Sequence, residues 1–568
     1  MRRLRPDKNF SITTLLGFNV LIWAILIFHL GQLQIGQAAY FQNKAGLLND
    51  FTEIRPVRGN IYVQDKDGHR YLVATTINAY DVYFNPLMIK NLNQETNTIA
   101  RDLNIDPKIL KTATHSIMIA KDVPSQVENR LVSLRYDSLF FNQKYLRYYP
   151  EGNFLSRIIG FTSLDQNNNL VGRYGLESYY NDLLAGQPGY RDSFGQIQPA
   201  VAGSDLVLNI DYFVQKEAEK VLVDGIKKYR AQGGSASGGL IAVIRPNGQV
   251  VAAAEFPNYN LNDFQNVPPS DYGVFLSRLV ENYEPGSVFK AITYSAALQE
   301  GLISEKTKYF DHGYINVDGW KIWNFDYRGR GEVNLLRAFE ESLNTGAAYV
   351  ESLLGDPTFL SYVKKYRVDR RPEIDLPYLT KGDISTLYPP YGRNVNYVTA
   401  SFGQGVSLSP AALLMVYNVF ANNGMMYNLS LVNKIVYPNG QIVDENPIKI
   451  GQIISPQTND KFKRFLAQVV IAGSGQFAKI QGYTMGGKTG SAYIPNKNKT
   501  GYSHKLINTF IDILPLNQPQ FIVFVQIDNP GALSELTAVP LAKKINEFLV
   551  NYYNIPPDNL AELRPASN

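Results

Sequence analysis

From Ile12 to Leu30 the chain reads ITTLLGFNVLIWAILIFHL, an apolar run with no fully charged side chain in it. Its length is close to the ~20 residues a helix needs to cross a bilayer. It is apolar nearly all round, whereas a half-buried helix of a soluble domain shows one polar face. Arg2, Arg3, Arg5 and Lys8 precede it. Basic residues on that side predict a single-pass anchor with the N-terminus in the cytoplasm and everything after Leu33 outside. The following GQLQIGQAAYF offers a poor cleavage site for a removable signal peptide. There is no Cys to carry a lipid.

The 568 residues exceed one hydrophobic core, so two to four structural units are expected. The absence of Cys also excludes disulfides, thiolate catalysis and Cys-based zinc sites. His29, His69, His115, His312 and His504 are scattered without ligand spacing, so neither a metal nor another cofactor is expected. A net charge of +5 is too mild to argue for nucleic acid. The 37 tyrosines suit strands.

Gln34 to about Lys44 reads as a polar continuation of the first helix. Arg55 to Ala74 reads as extended chain with a turn at Asp67-Gly68, and Asn85 to Asn142 gives no clear pattern. Near Asp205 the pattern changes: a strand leads into a helix with Asp211 as its N-cap. GGLIAVIRPNGQVVAAAEFP then predicts a hairpin around Asn247-Gly248. INTFIDILP and FIVFVQIDNP are two more apolar strands. VPLAKKINEFLVNYY carries Leu541, Ile545, Phe548 and Leu549 at helical spacing, with Pro540 in its first turn. Strands at both ends of a mostly helical stretch predict an α+β domain over 206–555. A pedestal segment over 34–205 precedes it, the anchor occupies 1–33, and a mobile Pro-rich tail covers 556–568.

Three short stretches of the 206–555 region carry chemistry together. In YEPGSVFKAITYSAALQEG, Pro285-Gly286 breaks the chain and a helical pattern starts at Ser287. Lys290 falls one turn on, on the same face, and Gly301 ends the helix. A serine needs a nearby base, and a lysine serves only when burial lowers its pKa. Val288, Phe289, Ala291 and Ile292 are candidates for that apolar setting. In FEESLNTGAAYV, Ser342 and Asn344 fit a loop facing a cleft, or a helix cap. In MGGKTGSAYI, Lys488 and Thr489 offer a charge and a hydroxyl on a strand edge. Gly486, Gly487 and Gly490 would let another backbone approach closely. Each stretch alone fits a cap, a turn or a solvated lysine; their order and wide spacing in one chain is the signal.

This set resembles the class B penicillin-binding proteins, the monofunctional D,D-transpeptidases of bacterial cell-wall synthesis. RLVENYEPGSVFK, FGQGVSLSPAALLMVYNVFANNG and AGSGQFAKIQGYTMGGKTGSA are all similar to that family. In the pedestal, RGNIYVQDKDG (Arg58, Gly59, Asp65, Gly68), RYYPEG and GRYGLE resemble three further family motifs, which we read as structural. The resemblance implies a serine penicilloyl-transferase, β-lactamase-like domain: an antiparallel sheet flanked by helices on an elongated β-rich pedestal. It implies that Ser287 attacks the penultimate D-Ala carbonyl of a stem peptide and Lys290 takes its proton. Ser342 and Asn344 would relay protons and orient the donor. Lys488 and Thr489, with Gly490 and Ser491 beside them, would hold the terminal carboxylate. The N–H groups of Ser287 and Ser491 would form the oxyanion hole, an amine of a second stem would take the acyl group, and β-lactams would acylate the same serine. The implied partners are peptidoglycan stem peptides on their lipid-linked precursor, the membrane, and a polytopic (FtsW-like) glycosyltransferase of the shape, elongation, division and sporulation family. FGQGVSLSP leans to the division-type (FtsI-like) branch over the elongation type.

Ser-Leu-Asn, Lys-Thr-Gly-Ser and Arg245-Pro246 stand where the family often has Ser-Ser-Asn, Lys-Thr-Gly-Thr and Asp-Pro. These departures touch fine specificity. A β-lactamase would need a deacylating carboxylate, and Glu373 lies in RRPEIDLP, outside any Glu-x-x-x-Asn loop. The alternative without catalysis is a β-lactam sensor or scaffold.

Overall fold

A computed structural model describes residues 8–32, 37, 52–166, 169–192, 196–496 and 501–563. Arg2, Arg3, Arg5, most of the Gln34–Lys44 stretch and the last five residues lie outside these, as does the Lys8 side chain. Two compact units are present: residues 1–56 with 186–202, and residues 57–185 with 203–568.

The first unit holds helix α1 (Lys8–Gly31) over the predicted anchor. Among the described residues, no helix is long and apolar enough to cross a membrane; the described side chains of α1 begin at Leu16. A small antiparallel sheet of Thr52–Ile54, Gly189–Arg191 and Ile197–Gln198 completes this unit.

In the second unit, β1 (Ile61–Gln64) and β2 (Arg70–Phe84) form the hairpin expected at Asp67-Gly68. The unassigned stretch contributes β3 (Ile117–Pro124) and β4 (Leu139–Tyr148), both antiparallel to β2. Next, β5 (Asp205–Asp211) runs parallel to β1. The sheet that begins in the pedestal segment therefore continues across residue 205. Arg58, Arg147 and Glu177, one from each pedestal motif, meet at its base. Glu177 is fully buried and takes Arg58 Nε at 2.7 Å and Arg147 Nε at 2.6 Å. Burial would raise its pKa, but the charges of Arg147 and Arg58 hold it below the usual glutamate value.

Asp211 caps α2 (Tyr212–Ala231) through the amides of Phe213 and Val214. Strands β6 (Gly238–Ile244) and β7 (Val250–Phe256) are the predicted hairpin. Two central helices follow: α3 (Lys290–Gln299) and, further on, α5 (Pro410–Ala421). Between them runs α4 (Asn344–Leu354). Every residue of α5 is buried, as an all-round apolar helix requires. After α6 (Pro456–Ile471) come β8 (Gly486–Pro495), β9 (Tyr502–Leu514), β10 (Phe521–Asp528) and α7 (Ala538–Tyr552).

The central sheet has the order β7-β6-β10-β9-β8, antiparallel throughout. Alternation splits β6 between two cores. Ile241 and Val243 join Leu222, Ile226, Leu541, Ile545 and Leu549 under α2 and α7. Leu240, Ala242 and Ile244 face the helical side with Val288, Phe289 and Leu413. This is the α+β arrangement expected, with β8 as its edge strand.

The Pro-rich end is a correction, because it is docked as far as residue 563 rather than free. Asp558 accepts the Thr484 amide at 2.7 Å, the Asn559 amide donates to the Gly482 carbonyl at 3.0 Å, and Lys479 pairs with Glu562 at 3.0 Å. The loop before β8 supplies the partners, and sequence periodicity carries no sign of such a contact.

Candidate active site

Pro285 opens a 3₁₀ turn, Gly286–Phe289, which runs straight into α3 at Lys290. The helix expected from Ser287 thus begins with a tighter turn. In 3₁₀ geometry residues i and i+3 eclipse, which aligns Ser287 and Lys290 more closely than an α-helix would. Two contacts hold the turn from the FGQGVSLSP stretch and α5. The Gly286 amide donates to the Gly403 carbonyl at 3.1 Å, and the Tyr417 hydroxyl donates to the Val288 carbonyl at 3.0 Å. Gly403 has φ +81°, and a Cβ there would lie 2.2 Å from the Gly286 carbonyl oxygen. Only glycine fits beside the turn.

Lys290 is fully buried. Its Nζ donates to the Ser342 carbonyl at 2.5 Å, Ser342 Oγ at 3.3 Å and Asn344 Oδ1 at 2.9 Å. The expected apolar setting is therefore only partial. Val288, Phe289, Ala291 and Ile292 pack into the core, and the ammonium itself meets a carbonyl, a hydroxyl, an amide and the Phe402 ring at 6.0 Å. Burial, then the charge of Lys488, pushes its pKa well below the lysine value. Among the described residues no hydrogen bond reaches the Ser287 hydroxyl, and that side chain is half-buried.

Ser342 sits between α4 and the preceding short helix Leu335–Glu340, as the sequence suggested, with φ +58°. A non-glycine residue held there carries strain on the order of 1–3 kcal/mol. The constraint places its Oγ between two lysines: Lys488 Nζ donates to it at 2.8 Å, and to the Thr489 carbonyl at 3.1 Å. Lys488 is also fully buried, and burial lowers its pKa to about 7 against the opposing charge of Glu535.

Lys488, Thr489, Gly490 and Ser491 lie on β8, paired with Ile511, Phe510, Thr509 and Asn508 of β9. The other edge of β8 meets the Ser287 turn. A Cβ at Gly490 would fall 3.0 Å from the Pro285 carbonyl oxygen, and one at Gly286 would fall 3.4 Å from the Ser491 carbonyl oxygen. So the predicted close backbone approach occurs at Gly490, and it brings Ser491 beside the turn that carries Ser287.

The structure thus gathers all eight sequence-chosen residues along one seam, between the edge strand β8 and the starts of α3 and α4. Reasoning from sequence missed Ser474, whose Oγ is 2.5 Å from Thr489 Oγ1. It also missed Trp323, whose carbonyl accepts from Asn344 Nδ2 at 3.0 Å. Ser474 lies in the glycine-rich AGSGQ turn and Trp323 in a hairpin strand; neither position shows a periodicity or charge that marks it.

Residues 238–547, more than half of the chain, match the penicillin binding protein transpeptidase domain, and residues 53–205 match the penicillin-binding protein dimerisation domain. The chain belongs to the penicillin-binding protein transpeptidases. The two domains in this order mark it as a class B member, a serine-type transpeptidase. It is 28% identical to the stage V sporulation protein D of Bacillus subtilis over 97% of this chain and 86% of that one. It is 25% identical to a peptidoglycan D,D-transpeptidase FtsI homolog of Mesostigma viride over 95% of this chain and 97% of that one. Its fold is similar to penicillin binding protein 2X of Streptococcus thermophilus, with TM-score 0.76 and 19% identity over 89% of this chain and 81% of that structure.

Proposed function

We propose that this chain is a peptidoglycan D,D-transpeptidase that cross-links stem peptides through an acyl-enzyme on Ser287. The observation that carries the reading is the seam itself: two buried lysines share one serine hydroxyl beside a half-buried serine on a tight turn. Lys290, whose pKa burial and the charge of Lys488 push down, takes the Ser287 proton as Oγ bonds the donor's penultimate D-Ala carbonyl. The carbonyl becomes an oxyanion facing the Ser287 and Ser491 amides. The proton passes through Lys290 and Ser342 to the leaving nitrogen as the C–N bond to the terminal D-Ala breaks. Asn344 orients the donor. Lys488 and Thr489, with Gly490 allowing the close approach, grip the terminal carboxylate. An amine of a second stem then attacks the ester, loses a proton to the same relay and releases Ser287. β-Lactams acylate the same oxygen.

Ser287→Ala should abolish covalent labelling by a fluorescent penicillin; labelling that persists would sink the assignment. Slow loss of label supports a transpeptidase, and rapid turnover supports a lactamase. A scaffold role gains if that variant still supports growth.

Residues 1–33 are read as a cytoplasmic tail and single-pass anchor of a bacterial cell membrane, with the enzyme on the outer side. The apolar side chains of α1 from Leu16 to Leu30 are exposed, which suits a lipid surround. A chain starting at Gln34 should leave the membrane fraction. Residues 34–205 are read as the pedestal, 206–555 as the transpeptidase domain and 556–568 as a tail. The FGQGVSLSP stretch favours septal work, and an FtsW-like glycosyltransferase is the partner this reading implies. Midcell enrichment of a tagged chain would support this, and a dispersed side-wall pattern would favour elongation.

A further inference from the structure

We infer that Asn324 is a positioning residue for the reaction. With its neighbour Trp323 it clamps the first residues of α4, and so fixes which end of the Asn344 amide faces Lys290. This rests on the roles proposed above for Lys290 and Asn344.

Two consecutive residues hold two consecutive residues. The Trp323 carbonyl accepts from Asn344 Nδ2 at 3.0 Å, and Asn324 Oδ1 accepts the Thr345 amide at 3.2 Å. The first amides of a helix have no partner inside it, and a side chain at the N-cap normally accepts from one of them. Here the N-cap position is Leu343, which makes no such bond. Asn324 supplies the acceptor from outside the helix.

The consequence reaches the base. Because the NH₂ of Asn344 is committed to Trp323, its oxygen is the end that meets Lys290 Nζ, at 2.9 Å. A turned-over amide would set N–H against N–H and leave the Trp323 carbonyl unfilled. Asn324 is fixed in its turn. Its Nδ2 lies 3.1 Å from each oxygen of Asp311 and 3.2 Å from the Arg328 carbonyl. Asp311 is 1% exposed and, among the described residues, forms no ion pair. Its charge is met by the amides of Gly313 and Arg330, the Thr345 hydroxyl and Asn324. Position 324 must donate to a carboxylate while accepting from an amide. Asparagine does both, and an aspartate there would set a second carboxylate against the first.

The test uses the full chain. Penicillin acylation of wild type, Asn324→Ala, Asn324→Ser and Asn324→Asp is resolved into initial binding and covalent step across pH, beside thermal unfolding. Tyr229→Phe, which loses a buried bond to the Thr537 carbonyl and removes no contact of Lys290, Asn344 or Thr345, is the control for lost stability. Asn324→Ala should slow the covalent step about tenfold or more, with initial binding nearly unchanged. Its rate-versus-pH rise should move to lower pH, since an ammonium at Lys290 loses an ordered acceptor. Lys488, the charged neighbour of Lys290, is present in every variant, so the displacement is read against wild type. Asn324→Ser should fall between, and Asn324→Asp should lose most. Tyr229→Phe should leave the pH rise in place. A wild-type pH rise in Asn324→Ala and Asn324→Ser, with any rate loss tracking the folded fraction alone, would overturn the inference. An unlabelled wild type would instead overturn the reading of Ser287 and Lys290.

Discussion

Arg58 and Arg147 close on Glu177 in one part of the second unit, while Lys290 and Lys488 converge on a serine hydroxyl in another. All are buried, and the two clusters treat charge in opposite ways. In the first, two guanidiniums flank one carboxylate, and Arg58 and Arg147 also donate to carbonyls of Glu177 and Gly59. Opposite charges favour each other's ionised forms, so Glu177 stays charged. In the second, among the described residues, no carboxylate forms an ion pair with either lysine. Burial lowers both pKa values, helped at Lys290 by the charge of Lys488 and opposed at Lys488 by that of Glu535. Compensated charge ties motifs 58, 147 and 177 together. Uncompensated charge costs stability and leaves amines able to exchange protons.

The sharpest way to break the contrast is Lys290→Met. It should lower penicillin acylation by roughly 10²–10⁴-fold, the range of a general base. Thermal unfolding should stay level or rise, because an apolar side chain replaces an uncompensated buried amine. A large drop in unfolding temperature would refute the contrast. Glu177→Gln should do the reverse. It leaves two buried guanidiniums without their anion and should cost ~3–5 kcal/mol in urea unfolding, with acylation per folded molecule unchanged.

The pH dependence of stability separates the clusters further. Glu177 has a lowered pKa, so its contribution is fully present above the ordinary glutamate value and is lost as pH falls through the lowered one. Lys488 is lowered from 10.5 to about 7. Between those values the folded state binds fewer protons than the unfolded chain, so stability rises with pH across that window, on the order of a few kcal/mol at most. Urea unfolding of Lys488→Met should show a smaller alkaline rise, with Lys290 supplying what remains, and Glu177→Gln should show a smaller acid fall. The smallest effect is expected at Ser474→Ala. Losing the partner of the Thr489 hydroxyl should weaken initial binding of a carboxylate-bearing β-lactam about fivefold, roughly 1 kcal/mol, with the covalent step unaffected.

Much of this arrangement is legible in the residues. Asp211 caps α2, Asn247-Gly248 turns a hairpin, and Leu541, Ile545 and Leu549 bury one face of α7, because each signal is local in the chain. The eight site residues could be named because three short patterns recur in order. The docking of the tail on the loop before β8 was not legible, nor was the polar lining of Lys290. Both depend on partners 50 residues or more away in sequence.

The sequence by itself determined most of the elements and the chemistry available: a serine and a lysine one turn apart, a second lysine on a glycine-rich strand, and an apolar run at the start. Tertiary structure alone decided that the Ser342 hydroxyl lies between Lys290 and Lys488, that Arg58 and Arg147 share Glu177, and that Asn324 answers the uncapped start of α4. The physical reason is range. Periodicity and capping act over a few residues, whereas burial, pKa and hydrogen-bond orientation depend on what the fold brings across the core.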